Sequence, residues 1–282
     1  MVEPVFFGSN SQTTDNSFQG KSELPVVVAR KLAVQEFACM VDLLRGSGVD
    51  VLQLKPPRNC PDAVYPNNWF SYHSATGLLV TYPMFAPNRR AERQPAKLVR
   101  VLQEAGCPVQ RKLNLSMFED SHMYLEGTGS LVFDDENRKV FAALSERTHP
   151  ELVERVAQFM GYQAVMFETS HCGVPVYHTN VMLSIGLRHA IVCLECVTSG
   201  KANLERSLPK SRIIISRDQM DSFCGNVLFL NDILLMSQTA LDSFGQSVHL
   251  FESDGYRIVA PAIPTIEQVG GGSARCMVAT VS

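Results

Sequence analysis

From Arg30 onward the apolar residues Val34, Phe37, Ala38, Val41 and Leu44 recur at helical spacing until Gly46 and Gly48 end the run. The period then changes to two. Val49 to Leu54 alternates as a strand does, and after a proline-rich loop Trp69 to His73 and Leu78 to Tyr82 flank Ala75-Thr76-Gly77 as the arms of a hairpin. The same order returns along the chain. Helices are expected over Lys97 to Glu104, Glu151 to Met160, near Asn203 and over Leu241 to His249, and strands follow them at Pro108 to Leu113, Gln163 to Glu168, Arg212 to Ser216 and Tyr256 to Ala260. Hairpins join Ser130–Asp134 to Val140–Ala143, span Val181 to Leu194 and span Val227 to Ser237. Val2 to Phe7 reads as a strand, residues 8–21 as a polar loop, and Met277-Val278-Ala279-Thr280 as a last strand after Cys276.

A hairpin, helix and strand recurring every roughly fifty residues is the pattern of a circular array whose units bury their faces against one another. Five units close the ring if the N-terminal strand pairs with the C-terminal one, which makes residues 1–282 a single domain. An open mixed sheet is the competing topology.

Composition narrows the partners. Apolar residues at 45% and charged residues at 19% describe an ordinary soluble chain. A net charge of −3 without a basic block argues against nucleic acid. No apolar run approaches a membrane span, and Met1-Val2-Glu3-Pro4 lacks the basic start of a signal peptide, so the expected location is the cytoplasm. Eight scattered cysteines without framework spacing favour reduced thiols. Cys193-Leu194-Glu195-Cys196 has metal-ligand spacing, but His189 and Cys224 do not supply the two further ligands a structural zinc needs, and no metal is expected.

Three glycines, Gly270 to Gly272, lead through Ser273-Ala274-Arg275 to Cys276. Glycine lets the main chain take positive φ and approach another group closely, which suits a backbone shaped to present one thiol. In a circular array the ends of the hairpins converge on a central cavity, so polar residues at equivalent positions are site candidates. Glu126, in Leu125-Glu126-Gly127-Thr128-Gly129-Ser130, and His178, in Tyr177-His178-Thr179-Asn180, each stand directly before a hairpin. A cysteine, a histidine and a carboxylate make a nucleophile, a general acid/base and a group that tunes the histidine, and such sets are recognised by geometry rather than chain order. Each residue also has a structural alternative: Cys276 in the core, His178 satisfied beside Tyr177, Glu126 capping or pairing locally.

The glycine lead into Cys276, the Leu125-Glu126-Gly127 element and His178 resemble the guanidino-group-modifying enzymes: arginine and agmatine deiminases, dimethylarginine hydrolases and amidinotransferases. Pro61-Asp62-Ala63-Val64-Tyr65-Pro66-Asn67-Asn68-Trp69-Phe70-Ser71, Asn88-Arg89-Arg90-Ala91-Glu92-Arg93 and Leu144-Ser145-Glu146-Arg147-Thr148 are similar to the citrulline-utilisation hydrolase branch, and the likeness runs from Pro4 to Cys276. The resemblance implies a five-bladed α/β propeller, the pentein fold. It implies that Cys276 attacks the carbon bearing three heteroatoms, that His178 protonates the departing nitrogen and then activates water, and that Glu126 bonds His178 or the substrate. It implies no cofactor. Arg90 and Arg147 would bind the carboxylate of an amino-acid substrate, with Arg89 next door complicating the assignment. Phe18 resembles part of a loop that folds over the site, and Arg275 would either favour the thiolate or point to solvent.

The substrate turns on a departure from the family pattern. Deiminases and dimethylarginine hydrolases carry carboxylates near the positions of Asn67 and Asn68, where this chain has two amides. A buried cation without a counter-charge costs several kcal/mol, whereas an amide both donates to and accepts from a neutral ureido group. Citrulline is therefore expected over arginine, giving ornithine, ammonia and carbon dioxide. The rival is a deiminase or dimethylarginine hydrolase using Asp62, or else Glu119 or Asp120, as charge partner. An amidinotransferase would need an amine acceptor. A silent propeller that binds a macromolecule, as ribosome anti-association factors of similar architecture do, is the alternative outside catalysis, and a homodimer is compatible with any of these.

Overall fold

A computed structural model describes the chain except Asp15, Lys21, Ser22, Lys210 and Ser282, so two residues of the polar loop expected over 8–21 lie outside the described residues. The architecture is α/β, with four small sheets and helices between their strands. In the first sheet β1 (Phe70–His73) and β2 (Leu78–Thr81) form an antiparallel hairpin, and β3 (Arg111–Asn114) returns parallel to β2 after the helix Pro95–Glu104. The second repeats this with β4 (Val132–Asp134), β5 (Lys139–Ala143), the helix Pro150–Met160 and β6 (Gln163–Thr169). The third pairs β7 (Leu183–Ile185) with β8 (Ala190–Val192). Before that sheet closes, β9 (Val197–Ser199) runs antiparallel onto β6, and β10 (Arg212–Ile214) then lies parallel to β8. The fourth holds β11 (Leu228–Leu230), β12 (Ile233–Leu235) and, after Gln238–Phe244, β13 (Arg257–Val259).

Each parallel pair needs a crossover long enough to cover the sheet, and an amphipathic helix supplies both the length and an apolar face. Along Pro150–Met160 the buried residues Leu152, Val153, Val156 and Ala157 fall on one such face, while Glu151, Glu154 and Arg155 stay outside the core. Gly161 takes φ +72° as the left-handed cap that ends this helix.

The terminal unit departs from expectation. The strands expected over Val2 to Phe7 and Val49 to Leu54 amount to one parallel bridge, Val2 to Leu54, on either side of the helix Val26–Gly46. Leu54 donates its N–H to the Met1 carbonyl and accepts from the N–H of Glu3, and the next rung, from residue 56 to the Glu3 carbonyl, falls on Pro56, which has no N–H. Met277 to Thr280 is not a strand either. Ala274–Met277 is a 3-10 turn, and the segment after it has no ladder partner among the described residues; Ala279 and Val281 pack against the core cluster that includes Trp69 and Leu102 instead.

Short turns stand ahead of the hairpins: Pro66–Asn68 before β1, Gly127–Ser130 before β4 and Thr179–Val181 before β7. The first packs against the second and against Ala274–Met277, and the second packs against the third. Gly129 allows this approach, because a Cβ there would lie 2.6 Å from Asn68 Nδ2 and 2.8 Å from His178 Nδ1. No helix among the described residues is long and apolar enough to cross a membrane.

Candidate active site

The turns bring Cys276 and His178 to one cavity, which Asp62, Asn68, Arg89 and Arg147 also line. The glycines before Cys276 pass beneath two tyrosines. Tyr65 Oη donates to the carbonyls of Ile266 and Gly272 at 3.1 and 3.3 Å, and Tyr177 Oη donates to Gly271 O at 2.9 Å. A side chain at Gly272 would press on the Tyr65 ring at 2.9 Å, so the segment's composition follows from this packing. Ser273 Oγ donates to Glu267 Oε1 at 2.6 Å, and the Cys276 N–H closes the turn on Ser273 O at 2.9 Å. Cys276 is 3% exposed, and its Sγ lies 3.3 Å from Asn226 Nδ2 and 3.6 Å from Asn180 Nδ2.

His178 and Glu126 sit directly before their turns, and His178 Nε2 meets Glu126 Oε2 at 2.8 Å. Glu126 also accepts from the Phe85 N–H at 3.0 Å and faces Arg147 at 3.4 Å and Arg89 at 3.9 Å. Burial pushes the Glu126 carboxyl up, but Arg147, the His178 hydrogen bond and Arg89 together hold it well below the usual range. Burial lowers His178 below its ordinary value, with Glu126 opposing, so a neutral imidazole stands beside an ionised carboxylate.

Arg89, not Arg90, lines the cavity. Its guanidinium is chelated by Glu92 at 2.9 and 3.0 Å and donates to Asn68 Oδ1 at 2.9 Å. Burial opposes its charge, but Glu92, Asp62 and Glu126 raise its pKa above the ordinary arginine value. Arg90 turns away, 32% exposed, to Glu119 at 3.4 Å. The cause is geometric: Pro87–Glu92 is a 3-10 helix, on which neighbours diverge by about 120° and residues three apart align, so Glu92 lies over Arg89. Asn67 and Asn68 divide likewise on Pro66–Asn68. Asn68 lines the cavity with its Nδ2 unpartnered, whereas Asn67 is fully buried away from the lining, with neither polar atom of its side chain hydrogen-bonded.

Asp62 lies beside Arg89 at 3.7 Å and accepts from Asn10 Nδ2 at 2.7 Å; burial raises its pKa, with Arg89 opposing. Arg147 is held between the Phe85 and Tyr177 rings at 5.6 and 5.2 Å. Glu119, considered above as a counter-charge, is committed to Arg93 and Arg90. Arg275 points inward, 9% exposed, and burial lowers its pKa to about 10 with Cys276 opposing. Phe18 stacks near His171, Tyr177 and Phe223, while Thr13 and Asn16 of the same loop line the cavity. Cys193 and Cys196 face each other at 3.6 Å in the core, and no group of three His, Cys, Asp or Glu among the described residues is arranged for a metal ion.

The family model for N,N dimethylarginine dimethylhydrolase, eukaryotic, matches residues 3–282. The chain belongs to that family. This dimethylarginine hydrolase family member thus stands among the guanidino-group-modifying enzymes. It superposes on the N-terminal domain of ArgZ bound to substrate, an arginine dihydrolase of the ornithine-ammonia cycle in cyanobacteria, with a TM-score of 0.81 at 16% identity, covering 100% of this chain and 97% of that one. AgrE in complex with ornithine and NAD+ gives 0.77 at 18% identity over 100% of this chain and 38% of its own. A dimethylarginine dimethylaminohydrolase adduct with 4-chloro-2-hydroxymethylpyridine gives 0.66 at 13%, covering 98% and 96%. At these identities the likeness is one of fold. No curated protein matches the family member significantly.

Sequence reasoning named Arg89 only as a complication to Arg90, and it missed Asn180 and Asn226 as neighbours of Cys276. A signal existed for Asn226, which precedes β11 as Glu126 and His178 precede their hairpins.

Proposed function

We propose that this protein is a thiol-dependent hydrolase acting on the terminal carbon of citrulline, releasing ornithine, ammonia and carbon dioxide. The observation that carries the reading is that Cys276 and the Glu126-bonded His178 share a cavity with an amide, Asn68, whose Nδ2 has no partner. A neutral ureido oxygen accepts from that N–H, whereas a guanidinium gains nothing from it and would depend on Asp62, which already lies beside Arg89.

In this mechanism neutral His178 takes the Cys276 proton, and the thiolate attacks the ureido carbon. His178 returns the proton to the departing ammonia, leaving a thiocarbamate on sulfur. Water, deprotonated by His178, then releases the thiol and a carbamate, which decomposes to ornithine and carbon dioxide. Glu126 orients the ring throughout. Asp62, with Arg89 and Arg147, suits the ammonium and carboxylate of an amino-acid zwitterion. No cofactor enters the scheme. The same reading treats residues 1–282 as one cytoplasmic domain, a five-bladed α/β propeller whose fifth blade is reduced to the Val2 to Leu54 bridge. The mutual packing of the turns supports it.

The family match favours a second reading, in which dimethylarginine or arginine is the substrate and Asp62 faces the guanidinium. Intact mass of protein quenched during turnover separates the two, with citrulline, arginine and dimethylarginine offered singly and Cys276→Ser as control. An adduct with citrulline alone, absent from the variant, is expected. An adduct with a guanidinium substrate instead keeps the mechanism and overturns the substrate.

A further inference from the structure

We propose that the side-chain amides of Asn180 and Asn226 form a neutral cradle that stabilises Cys276 as a thiolate and fixes its direction of attack. The proposal rests on the reading of Cys276 as the nucleophile. Asn226 is 1% exposed and Asn180 is fully buried, and burying an amide is costly unless its polar atoms are used. Asn226 Nδ2 donates to Sγ at 3.3 Å and to the Asn180 carbonyl at 3.0 Å, so the main chain before β7 sets its orientation. Asn226 Oδ1 stands 3.6 Å from Sγ and accepts from it when the sulfur is protonated, so one amide serves both states of the thiol. Asn180 serves only one. Its Nδ2 donates to Sγ at 3.6 Å, and its Oδ1, without a hydrogen-bond partner, does not face the sulfur and stays open as an acceptor.

The consequence is chemical. Two preorganised N–H donors stabilise negative charge on sulfur in addition to the buried Arg275. The hydroxyls of Tyr65 and Tyr177 and the cavity residues His178, Arg89 and Arg147 are the other titratable groups near it, and all of these are left unchanged by substitution of either amide. An apolar pair in these positions would fill the space without the desolvation cost, so packing alone does not account for the amides.

The test is alkylation of Cys276 by iodoacetamide, a neutral reagent, followed by mass spectrometry between pH 5 and 10 in the wild type, Asn226→Ala, Asn226→Ser and Asn180→Leu. Because alkylation needs no substrate, its outcome is independent of whether citrulline is turned over. In Asn226→Ala the rate at neutral pH is expected to fall about tenfold, and the pH of half-maximal rate to rise by about one unit, with the plateau at high pH unchanged. Asn180→Leu moves the profile the same way by a smaller amount, and Asn226→Ser, keeping a hydroxyl donor, recovers part of the loss. A packing role would lower the melting temperature and leave the pH profile in place. If Asn226→Ala fails to fold, the near-isosteric Asn180→Leu carries the test, and a profile superimposable on the wild type overturns the proposal.

Discussion

Around Glu126 the cavity wall is built of charge: Arg147 and His178 meet its carboxylate, and Arg89 is chelated by Glu92 and flanked by Asp62. Around Cys276 the hydrogen-bonding groups are two amides, two tyrosine hydroxyls hold the glycine backbone that leads to it, and the charged neighbour in sequence is the buried Arg275. The contrast separates two kinds of work. Paired charges in a dry site are costly to break and hold geometry, whereas hydrogen bonds from neutral amides to sulfur orient it without such pairing. Arg89→Ala strikes the charged side hardest, because it leaves Glu92 and Asp62 buried without their guanidinium and Asn68 Oδ1 without its donor. A loss of about 3–5 kcal/mol in urea unfolding is expected. A loss below about 1 kcal/mol would mean that the charges do not depend on one another, and the contrast would fail.

Glu126→Gln keeps the shape and removes the charge between the histidine and the arginines. Turnover is expected to fall about 100-fold as His178 loses the partner that orients it. Stability against pH gives a second readout. Glu126 is held below its ordinary value of 4.5, so its contribution is complete above that pH and is lost on acidification, as the unfolded chain takes the proton first. His178 lies below its ordinary 6.5 and acts in the same direction from that pH downward. The contributions of these two groups, His178 and Glu126, therefore decline below about pH 6.5 and about 4.5 respectively, against an opposite contribution from Glu92 and Asp62, whose carboxyls burial raises, and Glu126→Gln removes the lower limb. Denaturant midpoints of the two proteins that stay parallel down to pH 3 would show that Glu126 is not paired.

Most of the hairpin, helix and strand repeat was legible because each period matches a face: β1 and β2 fall within the segments expected from alternation, and Pro150–Met160 begins one residue before the helix expected from its apolar spacing. The terminal unit was misread because Pro56 withholds the N–H that the next rung of its ladder needs. Glu126 and His178 were legible as equivalent positions before hairpins, whereas Cys276 stood out by its glycine lead and not by the strand expected after it. Which of Asn67 and Asn68, or of Arg89 and Arg90, faces the cavity was not legible, since that depends on the phase of a single 3-10 turn, and one step of about 120° exchanges inside for outside.

That phase argument is sharpest at Arg90, where the smallest effect is expected. Arg90→Ala removes a half-exposed side chain whose Nε faces Glu119 at 3.4 Å and donates to Met84 O at 3.2 Å. Arg93 still pairs with Glu119, so no buried charge is stranded, and the stability change should stay within about 1 kcal/mol. The Michaelis constant for the amino-acid substrate should stay within about twofold, because Arg90 is not on the cavity wall. Steady-state kinetics beside Arg147→Ala supply the check: Arg147 borders the cavity, and its removal should raise the constant at least tenfold. A tenfold rise in Arg90→Ala with no change in Arg147→Ala would reverse the assignment, and with it the division between a charged frame and the surface that surrounds it.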